Sequence, residues 1–520
     1  MARKKEYKPL LLTTTVRNPQ RYKLLLNILY AYNGKVLDND IIDKVVFDLI
    51  SRKLYIPLYA SQNLRLKGQL VDEDTPFSKD DTEEIIINSP QNHKEAGFDK
   101  GWPSRFDTWY KLAKELGFVY YKMDNPIEFS QSGVQLVKSI EQEFAHSENQ
   151  VFLNAFVKYE RNNPFRRVLN TNRPLILLLQ TIQELKSVYG NESAGISRLE
   201  IPLLLCWRDN DYKALAALIR HIRAKYNFTP SNEVIYDQCK IALNITTTQG
   251  EKRFKKTNIL REMPDEFIRK MRLTGLISIR GNGRFVDINT LEMEKIKYCL
   301  DHYTDVSAVF TTERAYFDYM KNIDANLVSI KSDVIYAITE KEKFFQKWVE
   351  VFSLEVLKEE LFIVSNPRGN CKHEILKYIS EPVRFEFLTA LSLAKSYPEL
   401  KVEANYIIDD EGLPTVFAPG GGADIICYDN YGNILFEVTL LTGTQQNIRE
   451  MPAIHRHLEE IIKIAPDSFS VMLCPRAHSD TISYSKWLKD TKNLIVAVLE
   501  TKTFITSLGA NRNAREYSKI

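Results

Sequence analysis

Two apolar runs near the C-terminus, Ala423 to Tyr428 and Ile434 to Leu441, flank the turn-forming residues Asp429-Asn430-Tyr431-Gly432-Asn433. A connection that short forces the runs to pair antiparallel, because a parallel return needs a crossover of about a dozen residues or more. With Tyr428 facing Asn433 across a four-residue loop, strand alternation puts Asp424 opposite Glu437 and both side chains on one face. Two opposed carboxylates resist joint ionisation unless a cation stands between them. Oxygen ligands alone suit magnesium, which can polarise a phosphodiester and lower the pKa of a bound water. The same spacing also fits a strand-capping Asp424 and a solvent-facing Glu437 on an edge.

The sequence around this pair alternates helix and strand. Glu381 and Pro382 open a helix through Val383, Phe387, Leu388, Ala390, Leu391 and Ala394, and Pro398 stops it. Glu386 shares a face with Ala390 and Leu393, which points its carboxylate inward, where an acid needs a reason. Ser470 to Cys474 and Leu494 to Leu499 read as further strands, giving a mixed sheet with helices on its faces.

Upstream, one pattern occurs twice. A helix carrying Trp109, Leu112, Ala113 and Leu116 ends at Gly117; strands Phe118 to Tyr121 and Ile127 to Phe129 form a hairpin, and Ser130 starts another helix. The order recurs 158 residues later, counting from Gly117 to Gly275. There Asp265 can cap a helix through Ile268, Met271 and Leu273, strands Leu276 to Ile279 and Phe285 to Ile288 follow, and Asn289 opens the next helix. Helix, two-stranded wing, helix is the winged-helix arrangement, a relative of the helix-turn-helix that reads the DNA major groove. Lys252, Arg253, Lys255 and Lys256 before the second unit, Arg269 on its helix, and Arg280 and Arg284 on its wing suit phosphate contacts. Many such units bind protein instead, and a charge run is usually only a solvated face. The polar stretch 60–102, with Asp72, Asp74, Asp80, Asp81, Glu83 and Glu84, reads as an exposed acidic loop.

At 520 residues the chain exceeds what one hydrophobic core serves, and 44% hydrophobic with 26% charged residues is an ordinary globular balance. We place boundaries at 1–165 and 166–300 for two recognition domains, 301–366 for a helical linker, and 367–520 for the last domain, the break lying near Pro367 to Asn370. Seventy Lys and Arg against 67 Asp and Glu leave +3, so any basic surface is local. Six cysteines without a CxxC pair favour reduced thiols, and Cys371 with His373 lacks the further ligands of a zinc site. With no signal-peptide h-region and no apolar stretch of spanning length, the expected location is the cytosol, without membrane contact. The triplet Gly420 to Gly422 lacks the Lys of a P-loop, and Gly281-Asn282-Gly283 lacks the rest of a dinucleotide fingerprint, so neither ATP nor NAD is supported.

Three segments carry a family resemblance: Gly420-Gly-Gly-Ala-Asp-Ile-Ile-Cys-Tyr428, Ile434-Leu-Phe-Glu-Val-Thr-Leu440, and Gly443-Thr-Gln-Gln-Asn-Ile-Arg-Glu-Met-Pro-Ala-Ile-His-Arg-His-Leu458. Together they resemble the catalytic domain of the AlwI-type restriction endonucleases, whose relatives include the PleI, MlyI and BstNBI-type nucleases. The opening Thr13-Thr-Thr-Val-Arg17-Asn18-Pro-Gln-Arg21 is similar to that family's first segment. The resemblance implies an α+β multidomain chain of prokaryotic origin, working in the cytoplasm. A helical, winged-helix recognition region would read a short asymmetric duplex sequence, and a C-terminal α/β domain of the PD-(D/E)XK fold would cut a few base pairs away. It assigns Asp424 and Glu437 as metal-binding catalytic acids using Mg2+, with Glu386 and Glu450 as further catalytic acids. Thr439 stands where the broader nuclease pattern has lysine, a variation these relatives share, which leaves Gln446, Arg449 or a second metal to stabilise the transition-state charge. The helix bearing Arg449, His455, Arg456 and His457 would meet the phosphate backbone, and Arg17, Asn18 and Arg21 would face the bases. One active site cuts one strand, so a double-strand break needs transient dimerisation or a second subunit. The family also implies a cognate DNA methyltransferase encoded alongside.

Overall fold

The computed structural model describes residues 5–12, 20–70, 75–138, 145–166, 168–191, 193–247, 250, 254–305, 310–331, 334–366, 371–417, 422–510 and 513–520. Among them no helix is long and apolar enough to cross a membrane.

The N-terminal third is helical. The stretch 60–102 departs from the expected open loop: helices Leu58–Gln62, Leu64–Gln69 and Lys79–Ile87 run through it. Two of its acids lie where a helix wants them, and Asp72 and Asp74 lie outside the described residues. Asp80 and Asp81 sit in the first turn of Lys79–Ile87, against the positive end of the helix dipole, and Ser78 caps that turn by accepting from Asp81 N at 3.1 Å. Asp81 also takes Arg65 and the Gln69 amide, so its charge closes a bend instead of facing water.

Helix α1 (Trp102–Glu115) carries Pro103 in its first turn and is followed by Gly117, which has φ +75°. A Cβ there would lie 2.5 Å from Met320 Cβ, so both the backbone angle and the packing exclude any other residue. Strands β1 (Val119–Tyr120) and β2 (Glu128–Phe129) pair antiparallel, and Ser130 Oγ accepts from Gly133 N at 3.0 Å to start helix α2 (Gln131–Lys138). This is the order of elements expected for the first unit.

The second unit is larger than the pattern that betrayed it. Helix α3 (Pro174–Tyr189), strand β3 (Ile196–Ser197), short helix α4 (Ile201–Cys206) and helix α5 (Tyr212–Tyr226) precede helix α6 (Met263–Arg272). Strands β4 (Ile277–Arg280) and β5 (Phe285–Ile288) then pair as a hairpin, and β3 adds to its far side in the order β3-β5-β4, all antiparallel. Asp265 is not the cap of α6. The helix begins earlier, continuing from a π-turn at Asn258–Glu262, and Asp265 instead accepts from Arg198 at 2.7 Å and Tyr378 at 3.3 Å.

Helices α7 (Val334–Val351) and α8 (Leu354–Val364) lead into the C-terminal layer, where α8 packs on helix α9 (Glu381–Ser396). The sheet has five strands in the order β12-β11-β10-β9-β6. Strand β6 (Lys401–Ala404) pairs antiparallel with β9 (Ile425–Tyr428), β9 antiparallel with β10 (Asn433–Val438), and β10, β11 (Phe469–Cys474) and β12 (Val496–Glu500) run parallel. Alternation decides which face each residue serves. In β11, Phe469, Val471 and Leu473 join the large core with α9, whereas Met472 and Cys474 join a smaller core with Met451, Ile454 and Leu458 of helix α10 (Met451–Ile462). Both faces are therefore covered, as the parallel half of this mixed sheet requires.

Between β6 and β9 the chain leaves the sheet as a ribbon, β7 (Tyr406–Ile408) with β8 (Pro414–Phe417). Its turn, Asp409-Asp410-Glu411, is clamped onto the second unit. Arg272 donates to Asp409 at 3.0 Å and to Pro414 O at 2.9 Å; Arg280 donates to Asp410 at 2.7 Å and to Asp287 at 2.9 Å; Thr290 Oγ1 donates to Asp410 at 2.7 Å. Burial pushes the Asp409 carboxyl up to about 6, against the pull of Arg272.

Candidate active site

Strands β9 and β10 pair with Tyr428 opposite Asn433 and Ile425 opposite Phe436, the register in which Asp424 falls opposite Glu437. Ile434, Phe436 and Val438 belong to the large core, so the alternate position, Glu437, points to the α10 side. Two backbone groups fix Asp424: its carbonyl accepts from Asn405 N at 2.7 Å, and its Oδ2 accepts from Val438 N at 2.7 Å. The carboxylate is thus held at the mouth of the hairpin by the strand that carries its partner.

On the other side, His457 Nδ1 lies 2.9 Å from Glu437 Oε1, with both side chains buried. Glu450 is drawn in through Thr439, whose hydroxyl donates to Glu450 Oε1 at 3.0 Å and accepts from Leu441 N at 3.0 Å. Glu386, on α9, is buried at the same place. Burial pushes its carboxyl well above the ordinary range, and Asp424, Glu437 and Glu450 each push it the same way. Asp424, Glu437 and Glu450, the other acids expected from the sequence, therefore all lie within electrostatic reach of Glu386.

The donor set is oxygen-rich and strongly negative, which fits a hard divalent cation in chemistry and in charge. Asp424 and Glu437 are the residues that would hold it. Among the described residues no group of three or more His, Cys, Asp or Glu side chains is already closed around a point that could seat an ion.

The residues expected to meet DNA are dispersed. Gln446 is fully buried: its amide nitrogen donates to Leu441 O and Arg476 O, both at 2.8 Å, and its oxygen accepts from His478 N at 3.0 Å. Its polar atoms face the backbone, leaving nothing toward solvent. Arg280 is engaged by Asp287, Asp410 and Glu411, and Lys256 by Glu233. Arg284 and Lys255 are exposed and Arg269 half-buried; Arg456 is exposed and Arg449 half-buried, both on the segment leading through α10. Arg17 and Asn18, the side chain of Arg21, Lys252 and Arg253, and Gly420 and Gly421 lie outside the described residues.

His457, expected on the phosphate side, turns its ring to Glu437 instead. A signal for this was present. His457 follows Glu450 at i+7, and Ile454 and Leu458 complete the same inward stripe, so the helix that presents Glu450 presents His457 beside it.

The family model of the AlwI restriction endonuclease matches residues 114–351 and 339–505, more than half of the chain. No curated protein matches it. Among solved structures, the small subunit (R.BspD6I2) of the heterodimeric restriction endonuclease R.BspD6I is 22% identical, over 34% of this chain and 80% of that one, with a TM-score of 0.23. The restriction endonuclease FokI is 13% identical over 99% of this chain and 98% of that one, with a TM-score of 0.25. FokI bound to DNA is 13% identical over 100% and 98%, with a TM-score of 0.23.

Proposed function

The chain belongs to the AlwI restriction endonuclease family and is a site-specific deoxyribonuclease, and from that premise we propose that it works as a type IIS enzyme, binding a short asymmetric duplex sequence and hydrolysing phosphodiesters at an offset. The observation that carries this reading is the convergence of Glu386, Asp424, Glu437 and Glu450 at one end of the β9–β10 hairpin. The division of labour follows the proposed domains: two winged-helix recognition units within 1–165 and 166–300, a helical linker over 301–366, and a PD-(D/E)XK nuclease over 367–520.

A divalent cation, magnesium in this proposal, would sit on Asp424 and Glu437 and supply the charge that offsets a phosphate's own and favours attack by water. The chain's residues do the positioning. Val438 N–H fixes Asp424, and His457 fixes one oxygen of Glu437. Burial and the neighbouring acids raise the Glu386 carboxyl, which favours its neutral form and so eases the repulsion among the acids. Thr439 brings a hydroxyl where a lysine would bring charge and uses it to place Glu450. Arg449 and a second metal remain the candidates for offsetting the transition-state charge, whereas the buried amide of Gln446 is already satisfied. A second catalytic domain, from another copy or another subunit, is needed for a double-strand break, and a methyltransferase protecting the recognised sequence is expected in the same restriction-modification system.

The test is digestion of a long phage DNA with and without Mg2+, followed by sequencing of the ends. Discrete, magnesium-dependent ends at a fixed offset from one short asymmetric sequence are expected. Intact DNA under every divalent metal, from folded protein that shifts the same DNA in a gel, overturns the proposal.

A further inference from the structure

Helix α5 runs from Tyr212 to Tyr226 and contains Lys213, Arg220, His221, Arg223 and Lys225 without one acidic residue. A helix so one-sided in charge repels itself unless its base is anchored. Leu215, Ala216, Ile219 and Ile222 are buried along one side, against α3. Arg223 completes that side: it donates to both oxygens of Glu200, at 2.8 and 2.7 Å, and to Gly195 O at 2.6 Å. The helix is thereby pinned to β3 and α4, and its other side is left outward.

That other side has a distinct composition. At 100° per residue, Lys213, Ala217, His221 and Ala224 stand opposite the anchored stripe, with Arg220 and Lys225 on its flanks. Lys213, Ala217, His221, Ala224 and Lys225 are exposed, and Arg220 is half-exposed. None of the three cations on this side, Lys213, Arg220 and Lys225, has an acidic partner among the described residues. Arg272, Arg280 and Lys256 elsewhere in the unit all do. The alanines leave the long side chains standing clear of the helix and let another surface come close to its backbone. At about 1.5 Å per residue the helix spans about 22 Å, a length and diameter the major groove admits. It also follows α4 across the turn 207–211, with Asp211 capping it by accepting from Ala214 N at 2.9 Å.

The wing of this unit, which the sequence pointed to, is clamped onto the nuclease turn and cannot offer Arg280. We propose that the outward face of α5 is the base-reading surface of the second recognition unit, with Arg220 and His221 directed at base edges in the major groove of duplex DNA and Lys213 and Lys225 at the flanking phosphates. The inference rests on the DNA-cleaving reading above and adds to it which helix reads.

The test is selection of bound duplexes from a randomised pool by the full chain, with the bound sequences read out and their affinities measured. It is run on the wild type, Arg220→Ala, His221→Ala, Lys225→Ala and Ala217→Glu, with thermal melting as the folding check. Arg220→Ala and His221→Ala are expected to relax the selected sequence at one or two positions and to lower affinity for the wild-type consensus about tenfold or more. Lys225→Ala is expected to weaken all duplexes alike and to reduce the salt slope by about one. Ala217→Glu, an exposed change that adds repulsive charge, is expected to lower binding of every duplex and serves if an arginine variant fails to fold. An unchanged consensus and affinity in folded Arg220→Ala and His221→Ala overturns this inference alone. A wild type that selects no duplex sequence overturns the type IIS reading and takes this inference with it.

Discussion

His457 Nδ1 stands 2.9 Å from Glu437 Oε1, so helix α10, between β10 and β11, and the central strand meet through one hydrogen bond inside the acidic cluster. If that bond orients Glu437, His457→Ala should weaken binding of Ca2+, used as a non-cleaving probe, by about 10- to 100-fold and slow cleavage to a similar degree. Asparagine places a donor near the Nδ1 position, so His457→Asn should recover part of both, and His457→Gln less. Calorimetric titration alongside single-turnover cleavage checks this; equal behaviour of the Asn and Gln variants would remove the orienting role.

Asp424→Ala removes the carboxylate that Val438 N–H holds in place. It should abolish cleavage while leaving affinity for the recognised duplex within about twofold, because no base-reading group is touched. Gel-shift titration and end mapping on one preparation separate the two effects. Loss of binding with loss of cleavage would place Asp424 in the recognition machinery.

Asp409 gives a pH signature. Its folded carboxyl is raised to about 6 by burial, above the ordinary value near 4. The folded chain therefore binds more protons than the unfolded one between these values. The stabilising contribution is complete below the lower value and is lost as pH rises through the upper one. The stability difference between wild type and Asp409→Asn should fall by about 2–3 kcal/mol from pH 4 to pH 7. Denaturant titrations across that window test it, and a difference that does not move with pH would contradict it.

Arg280→Ala leaves Asp287, Asp410 and Glu411 without their shared cation. Destabilisation of about 2–4 kcal/mol is expected, seen as early proteolysis between the second unit and the nuclease layer. The base preference should be unchanged. A relaxed recognition sequence in this variant would return Arg280 to the DNA surface.

What was legible in the sequence was local. The loop between Tyr428 and Asn433 is short enough to determine the register, and the register alone sets Asp424 against Glu437. Gly117 and Gly275 announce their helix ends because both adopt positive φ, at +75° and +76°. The misplaced side chains all have partners far away in the chain. Arg280 meets Asp410 across 130 positions, and Gln446 meets Arg476 O across 30. No spacing rule reaches that far, so a basic residue at a wing reads as free when an acidic turn elsewhere already occupies it. The helices within 58–87 were hidden for another reason: their acids serve as first-turn and bend residues, which composition alone cannot tell from a solvated loop.

In β10 and the residue after it the odd and even positions have separate duties, Phe436 and Val438 filling the apolar interior while Glu437 and Thr439 attend to the acids. A slip of one residue in pairing would exchange them, driving Glu437 into hydrocarbon and turning Phe436 toward the carboxylates. The energetic penalty of that error is the penalty for burying an uncompensated charge. Strand pairing thus acts as a proofreading step: a chain that has assembled its sheet has also aligned its chemistry, and a misaligned one is unstable before it is merely inactive.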